Sequence, residues 1–455
     1  MDYAIILAAG KGTRMHMSIA KAMLPILGKP MIEYILDALF KTSLKKIICV
    51  LGNQYTDFNL PSCVDVVLQK EQLGTADAVK AALPKLEDTD GDVFILPGDA
   101  PFIKGETIES FLQFHKNNNN LLTIGTIRLD SPFGYGRVIK EQNQIVRIVE
   151  EKDASKEEKE IQEVYVGFMC VKVGILKEYL MQIKNKNMQK EYYLTDLVEL
   201  VSKHGKVDSY KFFDSFEAKG INDLYSLSLA EQELQKRILK NHMFDGVYIE
   251  NASTVTIGPD VSFLGEAIVY FGTKVLGKTT IYPKVILGPN TEIKDSVLYS
   301  NVKVSHSVIY DSSIGKDTMI GPFAHIRNNS YIGEANRIGN FVEFKNTTTG
   351  YKTYASHLSY VGDTDCGSGV NFGCGTITVN YDGKKKYTTT IGDNVFIGCN
   401  SNLIAPIEIK SNSYIAAGST IVTDLYEGDF AIARAKQITK SFYADKYKYK
   451  RVDKE

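Results

Sequence analysis

The residues best suited to phosphate chemistry follow the first apolar run of the chain. The β-branched run Tyr3–Leu7 leads directly into Ala8-Ala9-Gly10-Lys11-Gly12-Thr13-Arg14-Met15. Two glycines allow backbone N–H groups to approach phosphate oxygens closely, and Arg14 adds a planar guanidinium. Met15 stands where a dinucleotide-binding fingerprint has its third glycine, and the Gly-Lys-Ser/Thr triplet of a P-loop is missing. The string therefore indicates a phosphate-binding loop that belongs to neither of these two motif classes.

A carboxylate follows a second strand-like run. Pro97-Gly98-Asp99-Ala100-Pro101 comes directly after Val93–Leu96. Because ligands of α/β sheets bind at the carboxyl ends of the strands, Asp99 stands where a functional acid is expected. An Asp in a Gly-Asp turn also occurs for turn chemistry alone, and the residues themselves leave both interpretations open.

The second half of the chain carries an apolar residue at every sixth position. The spacing is clearest in two runs, Ile314, Ile320, Ile326, Ile332, Ile338 and Phe344, and then Ile391, Ile397, Leu403, Ile409, Ile415 and Ile421. A helix cannot keep every sixth residue on one face, whereas each side of a parallel β-helix coil takes six residues. The spacing predicts a stacked β-helix from about residue 244.

Polar residues collect where this spacing is interrupted, at about 345–360 and 378–390. A solenoid needs no interruptions in order to stack, so we expect irregular loops there that assemble a functional pocket. An imidazole, with an ordinary pKa near 6.5, suits a general base at neutral pH. Loops without a function remain the alternative interpretation. The candidates are Lys345, His357, Tyr360, Asn380, Tyr381 and Lys386.

The first half must position its motifs with alternating strands and helices. Between the strand-like runs lie amphipathic stretches at Met31–Lys41 and Thr75–Leu83, a pattern typical of an α/β domain with a largely parallel sheet. Residues 222–243 contain neither Gly nor Pro and predict one long helix, either a core helix or a connecting arm. The predicted strands are Tyr3–Leu7, Lys46–Leu51, Val64–Leu68, Val93–Leu96 and Leu122–Thr126.

Length and composition exclude several classes of protein. A chain of 455 residues, 44% hydrophobic and 24% charged, predicts two or three globular domains. A net charge of −1 disfavours a general nucleic-acid or membrane-surface binder. We find no apolar run long enough to span a bilayer and no basic region typical of a secretory signal. Six cysteines without zinc-site spacing indicate reduced thiols and a cytoplasmic protein.

The motifs together resemble a known family. The first loop, with Ala20-Lys21 and Gly28-Lys29-Pro30-Met31, resembles the sugar-phosphate nucleotidyltransferases. With the six-residue spacing, the chain resembles from Ile5 to about Tyr443 the bacterial bifunctional enzymes that join N-acetylglucosamine-1-phosphate uridyltransferase to glucosamine-1-phosphate acetyltransferase. This resemblance implies a Rossmann-like α/β domain over 1–221, a linker helix over 222–243, a left-handed parallel β-helix of hexapeptide repeats over 244–430 and a basic tail over 431–455. It also implies a homotrimer that holds the acyl donor between neighbouring subunits.

The resemblance assigns roles in the first domain. Arg14 and Lys21 would neutralise the charge that develops when the sugar phosphate attacks the α-phosphorus of UTP. Asp99 and Asn222 are the implied ligands of Mg²⁺, a cation that prefers hard oxygen donors. The implied UTP-binding residues are Leu7, Ala8, Gly10, Lys21, Gln69, Gly74 and Thr75. The implied N-acetylglucosamine-1-phosphate-binding residues are Gly136, Glu150, Tyr165 and Asn222.

Two positions depart from the family pattern. Tyr165, in Glu163-Val164-Tyr165-Val166-Gly167, stands where the family has a small polar residue, often Asn. Its side chain could fill the sugar pocket, bond through its hydroxyl or point elsewhere. Ala20 replaces a usual proline, which is a milder change.

In the second domain the resemblance makes His357 the general base that deprotonates the sugar's 2-ammonium group, with Glu343 able to orient it. Cys374 and Cys399 stand where other members carry Ala and Ser. A nucleophilic cysteine would predict an acyl-enzyme, but direct attack by the amine needs none, so we interpret both as small packing residues. The implied glucosamine-1-phosphate-binding residues are Arg327, Lys345, Tyr360, Asn371 and Lys386. The implied acetyl-CoA-binding residues are Cys374, Asn380, Tyr381, Cys399, Ala417 and Arg434.

The implied function is two consecutive steps towards UDP-N-acetylglucosamine. Acetyl-CoA would acetylate glucosamine-1-phosphate, and UTP would then uridylylate the product with release of pyrophosphate. One alternative is a single-activity nucleotidyltransferase whose β-helix only assembles subunits. The other is a non-catalytic scaffold subunit of the same fold, which the presence of Gly10, Arg14 and Asp99 disfavours.

Overall fold

The computed structural model describes residues 1–10, 12, 15, 17, 19–52 and 60–447. The chain divides into two compact units, Met1–Leu234 and Gln235–Glu455. Arg14, a predicted catalytic residue, lies outside the described residues. Among the described residues we find no helix that is both long enough and apolar enough to cross a membrane.

The first unit is built around a mixed but mainly parallel sheet. Strand β1 lies at its centre, parallel to β4 on one side and β6 on the other, and β5 extends the sheet beyond β4. Strand β10 runs antiparallel to β6 and β7, and the hairpin of β8 and β9 attaches to β10. The strands are β1 Tyr3–Ala8, β2 Pro25–Ile26, β3 Lys29–Pro30, β4 Lys46–Gly52, β5 Val64–Gln69, β6 Asp92–Pro97, β7 Leu122–Arg128, β8 Gly136–Glu141, β9 Gln144–Val149, β10 Glu163–Lys172 and β11 Val207–Lys211.

Helices cover both faces of this sheet, which explains why its central strands are apolar throughout rather than alternating. In β1 and β6 nearly every side chain is buried, and the residues of each strand divide between two separate hydrophobic cores. The carboxyl ends of β1, β5 and β6 therefore meet along one edge, where the first motifs lie. The helices are α1 Met31–Leu39, α2 Thr75–Ala82, α3 Gly105–Asn117, α4 Lys156–Lys159, α5 Val173–Tyr179, α6 Asp196–Ser202 and α7 Leu224–Phe244.

The second unit is a parallel β-helix in which most strands pair with the strand three places later in the chain, while the long strands β27 and β28 pair with each other. Its first strands are β12 Val247–Ile249, β13 Thr256–Ile257, β14 Ser262–Phe263, β15 Ala267–Val269, β16 Lys274–Leu276, β17 Thr280–Ile281, β18 Val285–Leu287, β19 Glu292–Lys294, β20 Val297–Leu298, β21 Lys303–Val304, β22 Val308–Tyr310, β23 Ser313–Ile314 and β24 Met319–Ile320. Those that follow are β25 Ala324–Arg327, β26 Tyr331–Ile332, β27 Arg337–Thr349, β28 Tyr354–Cys366, β29 Asn371–Phe372, β30 Ile377–Val379, β31 Thr389–Ile391, β32 Phe396–Ile397, β33 Asn402–Ile404, β34 Ile407–Ile409, β35 Tyr414–Ile415, β36 Thr420–Ile421 and β37 Phe430–Ala431.

The six-residue spacing fills the core of this unit. All twelve apolar residues of the two predicted runs belong to one continuous buried cluster. Side chains in register stack from coil to coil, as in Ile309, Ile326, Phe344 and Val361, which pair successively. Each such residue is covered by its own coil and both neighbouring coils, so truncating Phe344 to alanine would cost about 3–5 kcal/mol.

The interpretation of residues 345–360 as an irregular loop is wrong. Strands β27 and β28 are 13 residues long and pair in register from Arg337 with Tyr354 to Thr349 with Cys366. The coil turns its corners within them, at residues such as Asn346 with a φ of 49°. The spacing is therefore not lost but shortened, because Ala355 stacks on Ile338 at an interval of 17 residues.

Residues 380–388 do form a loop, between β30 and β31. An antiparallel bridge joins Tyr381 to Lys386 within it, and Asp382 accepts hydrogen bonds from the backbone N–H groups of Lys384 and Lys385. The loop is thus held by internal hydrogen bonds and projects from the β-helix with Lys386 on it.

Candidate active sites

A cleft of about 510 Å³ opens at the carboxyl edge of the first unit's sheet. Sequence-predicted residues from six separate segments of the chain line it. Gly136 and Asn222 are the described members of the predicted set that do not belong to the lining. Those that line the cleft are Leu7, Ala8, Gly10, Lys21, Gln69, Gly74, Thr75, Asp99, Glu150 and Tyr165.

At one end of the cleft, the Lys21 cation contacts a lining carboxylate and an amide oxygen from outside the lining. The ammonium of Lys21 donates to the carboxylate of Asp99 and lies 3.2 Å from the amide Oδ1 of Asn222. The backbone N–H of Ile221 donates to the carbonyl of Asp99 over 2.8 Å, which fixes the approach of the two segments. A carboxylate and an amide oxygen that converge on one positive charge form a donor set of the kind Mg²⁺ prefers. The residues present therefore fit a divalent cation, although the described residues hold no cluster of three His, Cys, Asp or Glu side chains suited to a metal.

A second part of the cleft is a loop held in place by main-chain hydrogen bonds. The N–H of Tyr192 donates to Leu73 O over 2.8 Å, and the N–H of Ala76 donates to Tyr192 O over 2.9 Å. Gly74, with a φ of 125°, has no room for a side chain, because a Cβ would lie 2.5 Å from Tyr192 O. Gln69 is buried and donates to Gly74 O over 3.2 Å. The amide edge that the sequence predicts for base recognition is therefore rigidly mounted.

Glu150 and Tyr165 line the opposite part of the cleft. The carboxylate of Glu150 accepts a hydrogen bond from Thr195 Oγ1 over 3.0 Å, and burial raises its pKa. Burial and the neighbouring Glu150 charge raise the pKa of Tyr165. Gly136 pairs with Tyr165 across β8 and β10 and lies behind Glu150, where a Cβ would approach the carboxylate to 3.5 Å. Tyr165 lines the cleft beside Glu150 and also packs against a hydrophobic core of this unit.

Three further polar residues line the cleft that the sequence motifs did not predict. Gln72 donates to Ala9 O, Thr195 donates to Glu150, and Glu191 lies beside them. The string Glu191-Tyr192-Tyr193-Leu194-Thr195, which leads into α6, carried the only available signal, a group of polar and aromatic residues at the start of a helix.

In the second unit, a cationic cluster forms on neighbouring coils. Arg327 and Lys345 pair in register on β25 and β27, and Lys386 reaches the same place from the 380–388 loop. The adjacent Lys345 charge lowers the pKa of Lys386. Burial opposes the charge on Lys345, but its contact with the Asp363 carboxylate outweighs this and raises its pKa. Two neighbouring ammonium groups and a guanidinium form a site for a dianionic phosphate.

A column of equivalent positions runs along the coils beside this cluster. Tyr360 pairs with Ile377, and the N–H of Gly375 donates to Leu358 O over 2.8 Å, which sets His357 against Cys374. Phe372 pairs with Ile397 and Ile397 with Ile415, so Cys399 and Ala417 continue the column. Its last carbonyl, that of Ala417, accepts a hydrogen bond from Arg434 Nη1 over 2.6 Å. His357, both thiols and Arg434 thus follow one line.

Two predicted roles in this region need correction. Within the described chain Glu343 has no hydrogen bond to His357, and its Oε1 instead accepts from Arg327 Nε at 2.8 Å and pairs with Nη2 at 2.6 Å. Cys374 and Cys399 are not packing residues, because both thiols are exposed. Both errors concern side chains on adjacent coils, whose neighbours are far apart in sequence.

The remaining predicted residues lie around this cluster. Tyr360 OH accepts a hydrogen bond from the buried Asn380 Nδ2 over 3.3 Å. Tyr381 is exposed at the base of the loop. Asn371 pairs in register with Tyr354 and has no hydrogen bond to the Lys345 cluster within the described chain. The structure therefore brings together all of the predicted sugar-phosphate residues except Asn371.

Comparison with known proteins agrees with both units. Residues 4–138 match the MobA-like NTP transferase domain, and residues 311–346 and 388–423 match the bacterial transferase hexapeptide model of six repeats. A solved UDP-glucose pyrophosphorylase complexed with UDP-glucose matches 52% of this chain and 99% of its own at 18% identity and a TM-score of 0.44, which adds nothing to the family assignment.

Full-length relatives are more informative. The Bifunctional protein GlmU of Acholeplasma laidlawii (strain PG-8A) is 48% identical over 446 residues, 97% of each chain. That of Geobacillus sp. (strain WCH70) is 43% identical over 453 residues, 99% of each chain, and that of Clostridium novyi (strain NT) is 45% identical over 439 residues, 96% of each. The predicted two-activity family is confirmed. The chain belongs to the bifunctional GlmU family, enzymes that join a nucleotidyltransferase domain to a hexapeptide-repeat acetyltransferase domain.

Proposed function

We propose that the cleft of the first unit transfers a uridylyl group from UTP to N-acetylglucosamine-1-phosphate, and that the second unit acetylates glucosamine-1-phosphate with acetyl-CoA. The acetyl step comes first, because its product is the sugar phosphate that the cleft consumes. The observation that carries the proposal is the convergence of Lys21, Asp99 and Asn222, with Lys21 and Asn222 separated by 201 positions in the chain.

Uridylyl transfer needs positioning and charge neutralisation rather than a protein nucleophile. An oxygen of the sugar phosphate attacks the α-phosphorus of UTP, and pyrophosphate leaves. Lys21 stabilises the negative charge on the phosphates, while the Gln69–Gly74 segment orients the base. A divalent cation, which we propose to be Mg²⁺, would be held by Asp99 and Asn222 and would supply further charge neutralisation.

Acetyl transfer requires a proton acceptor next to the thioester. His357 takes one proton of the sugar's 2-ammonium group, and the freed amine attacks the acetyl carbonyl to form the C–N bond. The C–S bond then breaks, and the second proton of the nitrogen passes to the departing sulfur, so that coenzyme A leaves as the free thiol. Lys345, Lys386 and Arg327 bind the sugar phosphate. Neighbouring strands lie about 4.8 Å apart, so three coil steps separate His357 from Ala417 by about 14 Å. An extended donor along this column has its thioester at His357 and its phosphates at Arg434.

We also propose that the chain forms a homotrimer through its β-helix. Supporting this, the β-helix wall exposes an unbroken stack of aromatic rings. Phe396 stacks on Tyr414 with centroids 4.6 Å apart, and Tyr414 stacks on Phe430 at 5.5 Å. All three rings are exposed in the isolated chain, and such apolar patches are typical of protein–protein contacts.

A panel of sugar-1-phosphates tests the first activity and the role of Tyr165. With UTP, the native chain is expected to prefer N-acetylglucosamine-1-phosphate. Within the described residues the Tyr165 hydroxyl has no hydrogen-bond partner, so we propose that the ring acts by filling space. Tyr165→Asn should then lose about tenfold in discrimination among the sugars, as expected for a change of pocket shape. The measurement is kcat/KM for each sugar from pyrophosphate release.

Tyr165→Phe is the matched control, because it keeps the ring and removes only the hydroxyl. It should retain the native preference. A phenylalanine variant that behaves like the asparagine variant would show that the hydroxyl, not the ring, selects the sugar. Absence of any preference for N-acetylglucosamine-1-phosphate in the native chain would contradict the proposed uridylyl transfer.

Alkylation with N-ethylmaleimide is expected to block acetyl transfer while leaving uridylyl transfer intact. Cys374 and Cys399 are exposed along the donor column, whereas burial raises the pKa of Cys49 and Cys366 to about 12 and keeps them unreactive. The measurement is release of free coenzyme A from acetyl-CoA and glucosamine-1-phosphate, after quenching the reagent. Acetyl-CoA present during alkylation should protect the activity.

The double variant Cys374→Ala, Cys399→Ser is the control, since it removes both thiols and keeps the side chains small. It should be active and insensitive to the reagent. Equal sensitivity of the variant and the native chain would place the inhibitory thiol elsewhere. Exposed Cys63, in the first unit, is alkylated in both proteins and so does not distinguish them.

A further inference from the structure

A buried carboxylate lies beneath the cationic cluster of the second unit. Asp363 stands at a corner of β28, with a φ of 49°, and its side chain is 10% exposed. Its Oδ1 accepts from Asn346 Nδ2 over 2.7 Å, and its Oδ2 accepts from Asn380 Nδ2 over 2.5 Å. Lys345 Nζ lies 3.3 Å from Oδ1 and 3.2 Å from Oδ2. Both oxygens are thus used by groups from two neighbouring coils.

The partners of this carboxylate belong to both proposed substrate sites. Lys345 is one of the proposed phosphate-binding residues, and Asn380 is one of the proposed acetyl-CoA-binding residues. We propose that Asp363 is a positioning residue of the acetyl transfer, which holds Lys345 and Asn380 in fixed relation so that the amine meets the thioester. This inference rests on the proposed function of the second unit.

Charge balance gives the carboxylate a second role. The charged and titratable groups around Lys345 are Lys386, Asp363, Tyr360, Arg327 and Glu343, and Glu343 is already paired with Arg327. Asp363 is therefore the counter-ion that lets Lys345 and Lys386 stand side by side before the phosphate arrives. Burial opposes ionisation of Asp363, but the hydrogen bonds from Asn346 and Lys345 outweigh it and lower its pKa.

Hydrogen bonds from an Asn to an Asp at the corners of adjacent coils also occur away from any proposed site, and one such pair serves as a comparison. Asn301 Nδ2 donates to Asp317 Oδ1 over 2.8 Å, and Asp317 has a φ of 61°. That carboxylate, however, is half exposed, and its nearest cation, Lys316 at 3.8 Å, belongs to no site. Asp317 is thus a matched control with the same backbone conformation and the same type of ladder partner, but without the buried cluster.

The experiment compares Asp363→Asn with Asp317→Asn in the full-length chain. Asparagine suits a positive φ, so both substitutions preserve the backbone and remove only the charge. For Asp363→Asn we expect the KM for glucosamine-1-phosphate to rise and kcat to fall, each by about tenfold. The alkaline limit of kcat/KM should move down by about one pH unit, because loss of the counter-ion lowers the pKa of Lys345. Asp317→Asn should change none of these.

Two further measurements keep the test decisive. Uridylyl transfer and the thermal unfolding midpoint report whether Asp363→Asn is folded, and calorimetric titration with glucosamine-1-phosphate reports binding without turnover. A native alkaline limit, or equal losses in the two variants, would overturn the positioning role. If the native chain shows no acetyl transfer, the proposed function fails. The titration then still tests Asp363: a weaker Kd in Asp363→Asn supports its role in holding Lys345, and an unchanged Kd contradicts that role.

Discussion

Replacing His357 with alanine is expected to lower kcat for acetyl transfer by about 10²–10⁴-fold, the usual contribution of a positioned general base. The imidazole is exposed, one coil before Cys374 and on the same strand as Tyr360 of the cationic cluster's surroundings. Its removal leaves the 2-ammonium group without a proton acceptor, while the phosphate and donor contacts persist. The loss should therefore appear in kcat, with the KM for acetyl-CoA unchanged, when free thiol release is followed at saturating substrates.

His242→Ala provides the comparison, because that imidazole lies in the same unit but packs against Phe263, with ring centroids 5.0 Å apart. It should keep native acetyl transfer. Uridylyl transfer should be native in both variants, since the cleft belongs to the other unit. Retention of most of the acetyl-transfer rate in His357→Ala would remove the proposed base.

Replacing Asp99 with asparagine should lower kcat for uridylyl transfer by about 10³-fold, as expected when charge stabilisation of the reacting phosphates is lost. The carboxylate pairs with Lys21 and supplies half of the oxygen donor set that it forms with Asn222. An amide has the same shape but carries no charge to hold either a cation or the Lys21 ammonium. Pyrophosphate release, followed as MgCl₂ is raised from zero to saturation, measures both the rate and its dependence on the cation.

Asp65→Asn serves as the control, because Asp65 lies on β5 and forms surface ion pairs with Lys46 and Lys85, each at 3.5 Å. It should not change the rate or the dependence on MgCl₂. Acetyl transfer should remain native in Asp99→Asn. A variant that keeps most of its uridylyl transfer at low MgCl₂ would show that the metal, if bound, is held by other residues.

Much of the fold could be predicted because its buried apolar residues recur at simple, regular spacings along the chain. The five predicted strands of the first unit are confirmed to within one or two residues, and all twelve predicted apolar positions of the β-helix are buried. The helix predicted over 222–243 is observed as Leu224–Phe244. In each case one physical requirement, burial of a face with a fixed repeat, acts on residues close together in sequence.

Contacts between residues far apart in the chain could not be predicted from the sequence. The pairing of Glu343 with Arg327 depends on how β25 stacks on β27, and the position of Cys374 depends on the 17-residue steps of the coils around it. The role of Asp363 could not be predicted, because the local sequence around a corner aspartate is the same whether its carboxylate faces solvent or a buried ammonium group. Only the fold distinguishes it from Asp317.

The repeat of the β-helix fixes the spacing of the positions along the proposed acyl-donor column. His357, Cys374, Cys399 and Ala417 occupy one position on each successive coil, so in the proposed donor site the distance from the reacting carbon to the anchoring guanidinium is set in whole coils. Inserting or deleting one complete coil between Cys399 and Ala417 would change the accepted cofactor length by about 4.8 Å and leave the core stacking intact. Selection for a thioester carrier of given reach is thus selection on repeat number.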